Sequence, residues 1–209
     1  MNIPNKEYIL KIEEFFLKDL RLISEPKIIE FGVRFGFSTK KIIEICEKNR
    51  GFLHSVDIDD CSDISNSKSW KFYKTRDDNF NYLDSLLPRN VDLIYLDSFH
   101  NANHVEKIIY HYYPFLKENG KFIIDDISWL PYLKMKKRNN FNCEINNQET
   151  FERILEIHSE NNENFDLYFS FTGSGMAKLV KKSKIELSKP KKLISRKYSI
   201  KNFIRKLIK

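Results

Sequence analysis

Acidic residues close several apolar runs of this chain, and each run end could support a recognisable chemistry. Glu30 follows the apolar start of 27–31 and opens the pattern Glu30-x-Gly32-x-x-x-Gly36-x-Ser38. Glycines let a backbone turn tightly and approach a ligand closely, and the helix that follows offers free N–H groups. A dinucleotide fingerprint would read GxGxxG. This loop reads GxxxG and begins with a carboxylate, which repels a pyrophosphate and suits an ammonium group. A cationic amino-acid ligand therefore fits better than NAD; packing alone is the competing use for the two glycines. Asp57 ends a second run, 25 residues after Gly32, where an acid can hold ribose hydroxyls. Asp57-Ile58-Asp59 also spells the common DxD triplet of metal-binding glycosyltransferases, while Asp59 and Asp60 read equally well as solvated turn residues.

A further cluster is Asp97-Ser98-Phe99-His100 with Asp125-Asp126. Adjacent strand ends would gather Asp97, Asp125 and Asp126, and three carboxylates repel one another unless a cation lies between them. Hard oxygen ligands suit Mg²⁺ or Mn²⁺ better than zinc. His100 lies three residues past Asp97, where an imidazole titrating near working pH can take a proton from a substrate hydroxyl. A surface or capping histidine is the plain alternative. His100 and His104, at i and i+4, imitate a zinc pair, with no HExxH and no third ligand to support it.

Alternating strands and helices must hold these groups. Residues 6–20 read as an amphipathic helix with Ile9, Ile12, Phe16 and Leu20 on one face. Strands are expected at 27–31, 52–56, 70–74, 91–96 and 121–124. Ser38 or Thr39 is expected to cap a helix carrying Ile42, Ile43 and Cys46. A short helix near 79–86 and a longer one over 103–117 follow, the latter stopped by Asn119-Gly120. Residues 128–147 show no period and read as an excursion, before a helix over 148–159 and a hairpin of 165–171 with 176–180. This order predicts an α/β, doubly wound, mostly parallel sheet with an antiparallel C-terminal hairpin. Ligands of such sheets bind beyond the carboxyl ends of the strands, where the acids fall.

Composition narrows the class further. The chain has 209 residues, 41% hydrophobic and 31% charged, with 6 Gly and 6 Pro, which suits one globular domain with extensions rather than a disordered or fibrous chain. The net charge of +7 is uneven. Residues 181–209 hold 12 of the 36 basic and one of the 29 acidic residues, a net +11, leaving −4 for residues 1–180. Nucleic-acid binding through the globular part is therefore not expected. In the tail, Ile200, Phe203, Ile204, Leu207 and Ile208 form one stripe after Ser199, with Lys201, Arg205, Lys206 and Lys209 mostly off it. A basic amphipathic helix of this kind points to peripheral membrane contact; docking on its own domain or on a second copy is the alternative. Three scattered cysteines and a start, Met1 to Glu7, without an apolar h-region lead us to expect a reduced, cytoplasmic protein.

Taken together, Glu30–Thr39, Val56–Asp59, Asp92–His100 and Phe122–Asp126 resemble a class I S-adenosylmethionine-dependent methyltransferase. The nearest resemblance is to the metal-dependent small-molecule and sugar O-methyltransferases of the macrocin type. It covers about 25–182 and implies a seven-stranded Rossmann-like sheet, with 1–24 as an N-terminal helix on the core and 183–209 as a basic tail. It also implies an enzyme that methylates a sugar or glycan hydroxyl, as in polysaccharide biosynthesis. By position, Glu30, Gly32, Val33, Gly36 and Ser38 would surround the methionine moiety and Asp57 the ribose. Asp78, or Asp77 one residue earlier, would meet the adenine. Asp97 would border the cofactor and, with Asp125 and Asp126, would bind Mg²⁺ or Mn²⁺; His100, with Asp97, would be catalytic. Many relatives read Asp-Gly-Asp-His where this chain has Asp97-Ser98-Phe99-His100, a departure at the acceptor side. Trp129, Tyr132, Lys134, Lys136, Lys137 and Arg138 of 128–147 would cover or line the acceptor site, with an ordinary basic loop as the equal alternative. A homo-oligomer and an inner-membrane position complete these expectations. The competing functions are a nucleic-acid methyltransferase, against which the missing Pro-Pro-aromatic run speaks, and a non-catalytic binding protein on the same fold.

Overall fold

The computed structural model describes residues 6–134, 136 and 138–208. The start of the chain, Lys137 and Lys209, on which readings above fall in part, lie outside the described residues. Seven strands form one sheet in the order β3-β2-β1-β4-β5-β7-β6. They are β1 (Lys27–Phe31), β2 (Phe52–Asp57), β3 (Trp70–Lys74), β4 (Val91–Leu96), β5 (Leu116–Asp125), β6 (Phe165–Ser170) and β7 (Met176–Lys181). The first five are parallel, and β7 pairs antiparallel with both β5 and β6. This is the doubly wound sheet that the element order predicts, with its switch point between β1 and β4.

Alternation along each strand builds two cores, one per face. Ile29, Phe31, Ile94, Leu96, Phe122 and Ile124 pack under α4 (Ala102–Tyr112) and α5 (Phe141–Glu160). Ile28, Leu93, Tyr95 and Ile123 pack under α2 (Phe37–Asn49) and the N-terminal helix. That helix begins as α1 (Lys6–Ile12), passes a π turn at Glu13–Leu17 and ends at Lys18–Leu20. Ile12, Phe16 and Leu20 are buried as expected, whereas Ile9 is exposed.

Other details depart from the sequence reading. Gly36, at φ 70°, caps α2 with no side-chain bond, because Ser38 and Thr39 already lie inside the helix and are buried. The helix expected over 103–117 ends at Tyr112, where Pro114 starts a 3₁₀ turn, Tyr113–Phe115. Asn119-Gly120 is no helix stop; both lie within β5. The short helix near 79–86 is confined to α3 (Phe80–Leu83). Asn140 caps Cys143 at 3.1 Å and starts α5 seven residues earlier than the apolar spacing suggests, so 141–147 is helix. In the tail, α6 (Ile200–Leu207) buries none of its residues. Among the described residues no helix is long and apolar enough to cross a membrane.

Candidate active site

The loop from β1 to α2 sits at the switch point. Gly32 has φ +93°, and a Cβ there would lie 2.1 Å from the carbonyl oxygen of Asp97. Only glycine lets the ends of β1 and β4 meet so closely, so the packing use of this residue is real and also shapes the cleft. Arg34 and Asp126 have left-handed φ values of 51° and 56° although neither is glycine. Such conformations carry strain that the surrounding structure must hold, and both residues face the clefts described below.

Glu30 does not face solvent. Its side chain shares the α2 face of β1 with Ile28 and is fully buried. Ser38 donates to Oε1 at 2.7 Å, and Thr39 and Ser55 donate to Oε2 at 2.8 and 2.7 Å. Trp70 Nε1 in turn donates to Ser55 Oγ at 2.9 Å. Burial pushes the carboxyl up to about 7, against the three hydroxyls, which pull it down. Glu30 and Ser38, expected around a ligand's ammonium, therefore direct their side chains at each other and fix the start of α2.

Asp57 ends β2 and braces the loop. Its Oδ2 accepts from Val33 N at 2.7 Å and Arg34 N at 3.0 Å, and its Oδ1 from Asp59 N at 3.0 Å. A carboxylate has about four acceptor positions, so about one remains for a ribose hydroxyl rather than the two of a bidentate contact. Asp57 lines a cleft of about 440 Å³ with Gly32, Thr75, Asp77, Asp97 and His104. That volume falls in the range of small-ligand sites. Asp78 is absent from this lining; it pairs outward with Arg76 and Lys107. The one-residue alternative, Asp77, is the acid at the cleft. It accepts from Ser98 Oγ at 2.5 Å and lies 2.9 Å from His104 Nε2.

A second cleft of about 380 Å³ is lined by Tyr8, Val33, Phe35, Phe37, Ser38, His100 and Asp126. The two clefts share Gly32, Arg34, Asp97 and Ser98. His100 Nε2 stands 3.4 Å from both Asp97 Oδ1 and Asp126 Oδ2. Burial lowers the affinity of its ring for a proton, but the hydrogen bond to Asp97 and the charges of Asp126, Asp97 and Asp125 outweigh it and lift the pKa to about 9. His100 is thus an imidazolium at neutral pH, not the half-neutral imidazole that the sequence suggests. His100 and His104 do not form a pair: His100 precedes α4, while His104 lies inside it against Asp77.

Asp97, Asp125 and Asp126 come together, but not as an open ligand set. Asp125 lies on the same face of β5 as Ile123, toward the N-terminal helix, and is 1% exposed. Its Oδ1 bonds Lys11 Nζ and accepts from Asp126 N at 2.7 Å; its Oδ2 accepts from Tyr95 OH at 2.8 Å. Lys11 is 3% exposed, and its Nζ also meets Ser174 Oγ at 2.9 Å and Asp126 Oδ1 at 4.0 Å. Burial works against the Lys11 charge, yet Asp125 and Asp126 overcome it and raise the ammonium's pKa. Burial and then the Asp97 charge push the Asp125 acid up, with Lys11 opposing. Among the described residues no group of three or more His, Cys, Asp and Glu is arranged to hold a metal ion. The expected Mg²⁺ set does not fit, because the buried Lys11 ammonium already bonds Asp125 and stands beside Asp126. Sequence reading missed Lys11, Tyr8 and Tyr95. Lys11 lies beside Ile12 on the buried face of the helix, three residues after Tyr8, and that placement was its signal.

Residues 29–127 match a methyltransferase domain family, a little under half of the chain. No curated protein sequence matches the chain. Solved structures share its fold. One is the MycE methyltransferase of the mycinamycin biosynthetic pathway, in complex with Mg, S-adenosylhomocysteine and mycinamycin VI. It is 16% identical at TM-score 0.60, over 91% of this chain and 53% of that one, so the chain spans about half of its length. A Staphylococcus aureus protein provisionally named a caffeoyl-CoA O-methyltransferase is 14% identical at TM-score 0.62, over 86% and 85% of the two chains. The Podospora anserina methyltransferase PaMTH1, bound to S-adenosylhomocysteine, is 14% identical at TM-score 0.60, over 88% and 90%. Residues 29–127 thus resemble a methyltransferase domain, and the chain shares the fold of these solved methyltransferase structures.

Proposed function

We propose that the protein is an S-adenosylmethionine-dependent O-methyltransferase acting on a hydroxyl of a sugar or glycan. The observation that carries this reading is the pair of clefts meeting at Gly32, Arg34, Asp97 and Ser98, one suited to a donor and the other to an acceptor. The donor cleft carries Asp57 for a ribose and Asp77 near the adenine end. The acceptor cleft mixes aromatic faces, Tyr8, Phe35 and Phe37, with Asp126 and His100, a combination that suits a hydroxylated ring. When bound, S-adenosylmethionine supplies an activated methyl group whose bond to sulfur breaks, with the electron pair staying on sulfur, as the new oxygen–carbon bond forms. The walls at Gly32 and Asp97 hold the acceptor oxygen in line with that methyl, and positioning of this kind is the main work of the protein. His100, oriented by Asp97 and Asp126, takes the hydroxyl proton only in its neutral form, the minor species below about pH 9, so turnover is expected to rise with pH toward that value. Metal assistance, expected from the sequence, has no part in this proposal, since the Lys11 ammonium stands at Asp125 and Asp126 where the cation would sit.

A nucleic-acid substrate fits less well, because Asp57, Asp59, Asp77 and Asp97 line the donor cleft and the basic residues concentrate in the tail. The proposal includes a cytoplasmic enzyme whose basic tail rests on the inner face of a membrane. The deciding experiment is calorimetric titration of S-adenosylmethionine into the wild type and Asp57→Ala, followed by release of S-adenosylhomocysteine on offering sugar acceptors. Micromolar binding that disappears in Asp57→Ala, with turnover falling by about 10²-fold or more in His100→Ala at unchanged cofactor affinity, supports the reading. A wild type that binds no S-adenosylmethionine overturns it.

A further inference from the structure

The aspartate cluster needs a counter-charge, and the chain supplies one from a distant element. Asp97, Asp125 and Asp126 bring three negative charges within reach of one another. Lys11 Nζ bonds Asp125, lies 4.0 Å from Asp126 Oδ1 and is closed off from solvent with Asp125. His100 bridges Asp97 and Asp126 from the other side. The hydroxyl of Tyr95 ties the remaining oxygens together, 2.8 Å from Asp125 Oδ2 and 3.1 Å from Asp97 Oδ2. Tyr8 OH lies 3.4 Å from Tyr95 OH, and its ring stands 5.2 Å from Lys11 Nζ, so the same helix that brings the cation also walls it in. A divalent ion would therefore have to displace a buried ammonium to reach Asp125.

We propose that Lys11 is the resident cation of this cluster, so that the centre keeps its aspartates in place with an internal ammonium ion instead of a divalent metal. The proposal rests on the methyltransferase reading only for what the cluster serves; the ion occupancy itself is independent of it. It makes Lys11 a positioning residue. The ammonium is 4.0 Å from Asp126, the member of the cluster that lines the acceptor cleft, and is not itself among the groups lining that cleft. It sets the orientation of Asp125 and, through Tyr95, that of Asp97. It also makes the N-terminal helix a part of the active site rather than a mere cover.

The test uses Mn²⁺ as the probe, with binding read by loss of its free-ion paramagnetic resonance signal, on the full-length chain. Wild type is expected to leave Mn²⁺ free at micromolar concentrations. Lys11→Met keeps most of the stem's bulk, removes the charge and is expected to bind Mn²⁺ through the uncovered carboxylates. The paired variant Lys11→Met/Asp125→Asn removes both charges together, is expected to stay folded and leaves Mn²⁺ free. Micromolar Mn²⁺ binding by wild type overturns the proposal, as does a folded Lys11→Met that ignores Mn²⁺ or a paired variant that binds it. If Lys11→Met does not fold, Mn²⁺ binding by the wild type or by the paired variant still overturns the proposal. A parallel titration of wild type with S-adenosylmethionine, with and without chelator, keeps the two readings apart: absence of cofactor binding removes the methyltransferase reading, and cofactor binding lost on chelation overturns the ammonium reading.

Discussion

Replacing Glu30 by glutamine should change how stability depends on pH, by an amount set by the burial of this carboxyl. Glu30 is fully buried and accepts three hydroxyl hydrogen bonds, and burial still raises its pKa from 4.5 to about 7. Between those two values the folded chain keeps a proton that the unfolded chain has released. The raised acid thus contributes stability that is complete below pH 4.5 and is lost as pH climbs through 7. The gap corresponds to about 3 kcal/mol. Glutamine keeps the planar shape and the acceptor oxygen but has no proton to lose. The advantage of Glu30→Gln over wild type should therefore grow by about 3 kcal/mol between pH 4 and pH 8, or roughly 6–12 °C in Tm for a chain of this size. Denaturant unfolding of both proteins across that range measures it. Taking the difference largely cancels Asp125 and His100, which titrate in both proteins. A difference that stays flat across the range would refute the reasoning. It would mean that the three hydroxyls hold Glu30 ionised in the fold despite its burial.

Two other expectations follow from geometry. Gly32→Ala places a Cβ 2.1 Å from Asp97 O at a φ of +93°, so it should cost about 3 kcal/mol or more and lower the thermal midpoint accordingly; a midpoint within about 2 °C of wild type would contradict the close approach. The α6 helix exposes Ile200, Phe203 and Leu207 beside Lys201, Arg205 and Lys206, a surface complementary to acidic lipid headgroups. The full chain should co-sediment with phosphatidylglycerol vesicles, less so as salt rises, and neither Phe203→Glu nor a chain ending at residue 189 should do so. Binding only to neutral vesicles, or self-association through α6 without lipid, would reject that assignment.

The parts of the fold that could be read in the sequence are those set by local pattern. β1, β2 and β4 are short runs, the latter two closed by Asp57 and Asp97, and their order along the chain predicts a parallel sheet with these two acids at one rim. The start of α5 was hidden because Phe141, Cys143 and Ile145 alternate instead of recurring at helical spacing; Asn140 caps the helix and Asn147 Nδ2 anchors it to Ser128 O at 2.9 Å, neither of which shows as a period. Which of Asp77 and Asp78 turns to the cleft depends on His104 and Ser98, one on a helix and one on a loop more than twenty residues away. Glu30 read as a ligand-facing acid because its three hydroxyl partners are scattered over residues 38, 39 and 55. Lys11 was hidden for the same reason: its partners lie at 125 and 174, and only the closed sheet brings them to it.

The order of synthesis gives the closing hairpin a particular importance. β7 lies inside the sheet, between β5 and β6, so the free edge of β5 stays unpaired until residues 176–181 have left the ribosome. Until then the nascent chain holds five parallel strands with an open edge of the kind that invites pairing with other chains. The same hairpin brings Ser174 against Lys11 and Met176 into the core under the N-terminal helix. The N-terminal helix and the closing hairpin of the sheet thus meet at the acidic cluster. A chain truncated before 174 would lack both the antiparallel partner of β5 and the Ser174 contact to Lys11.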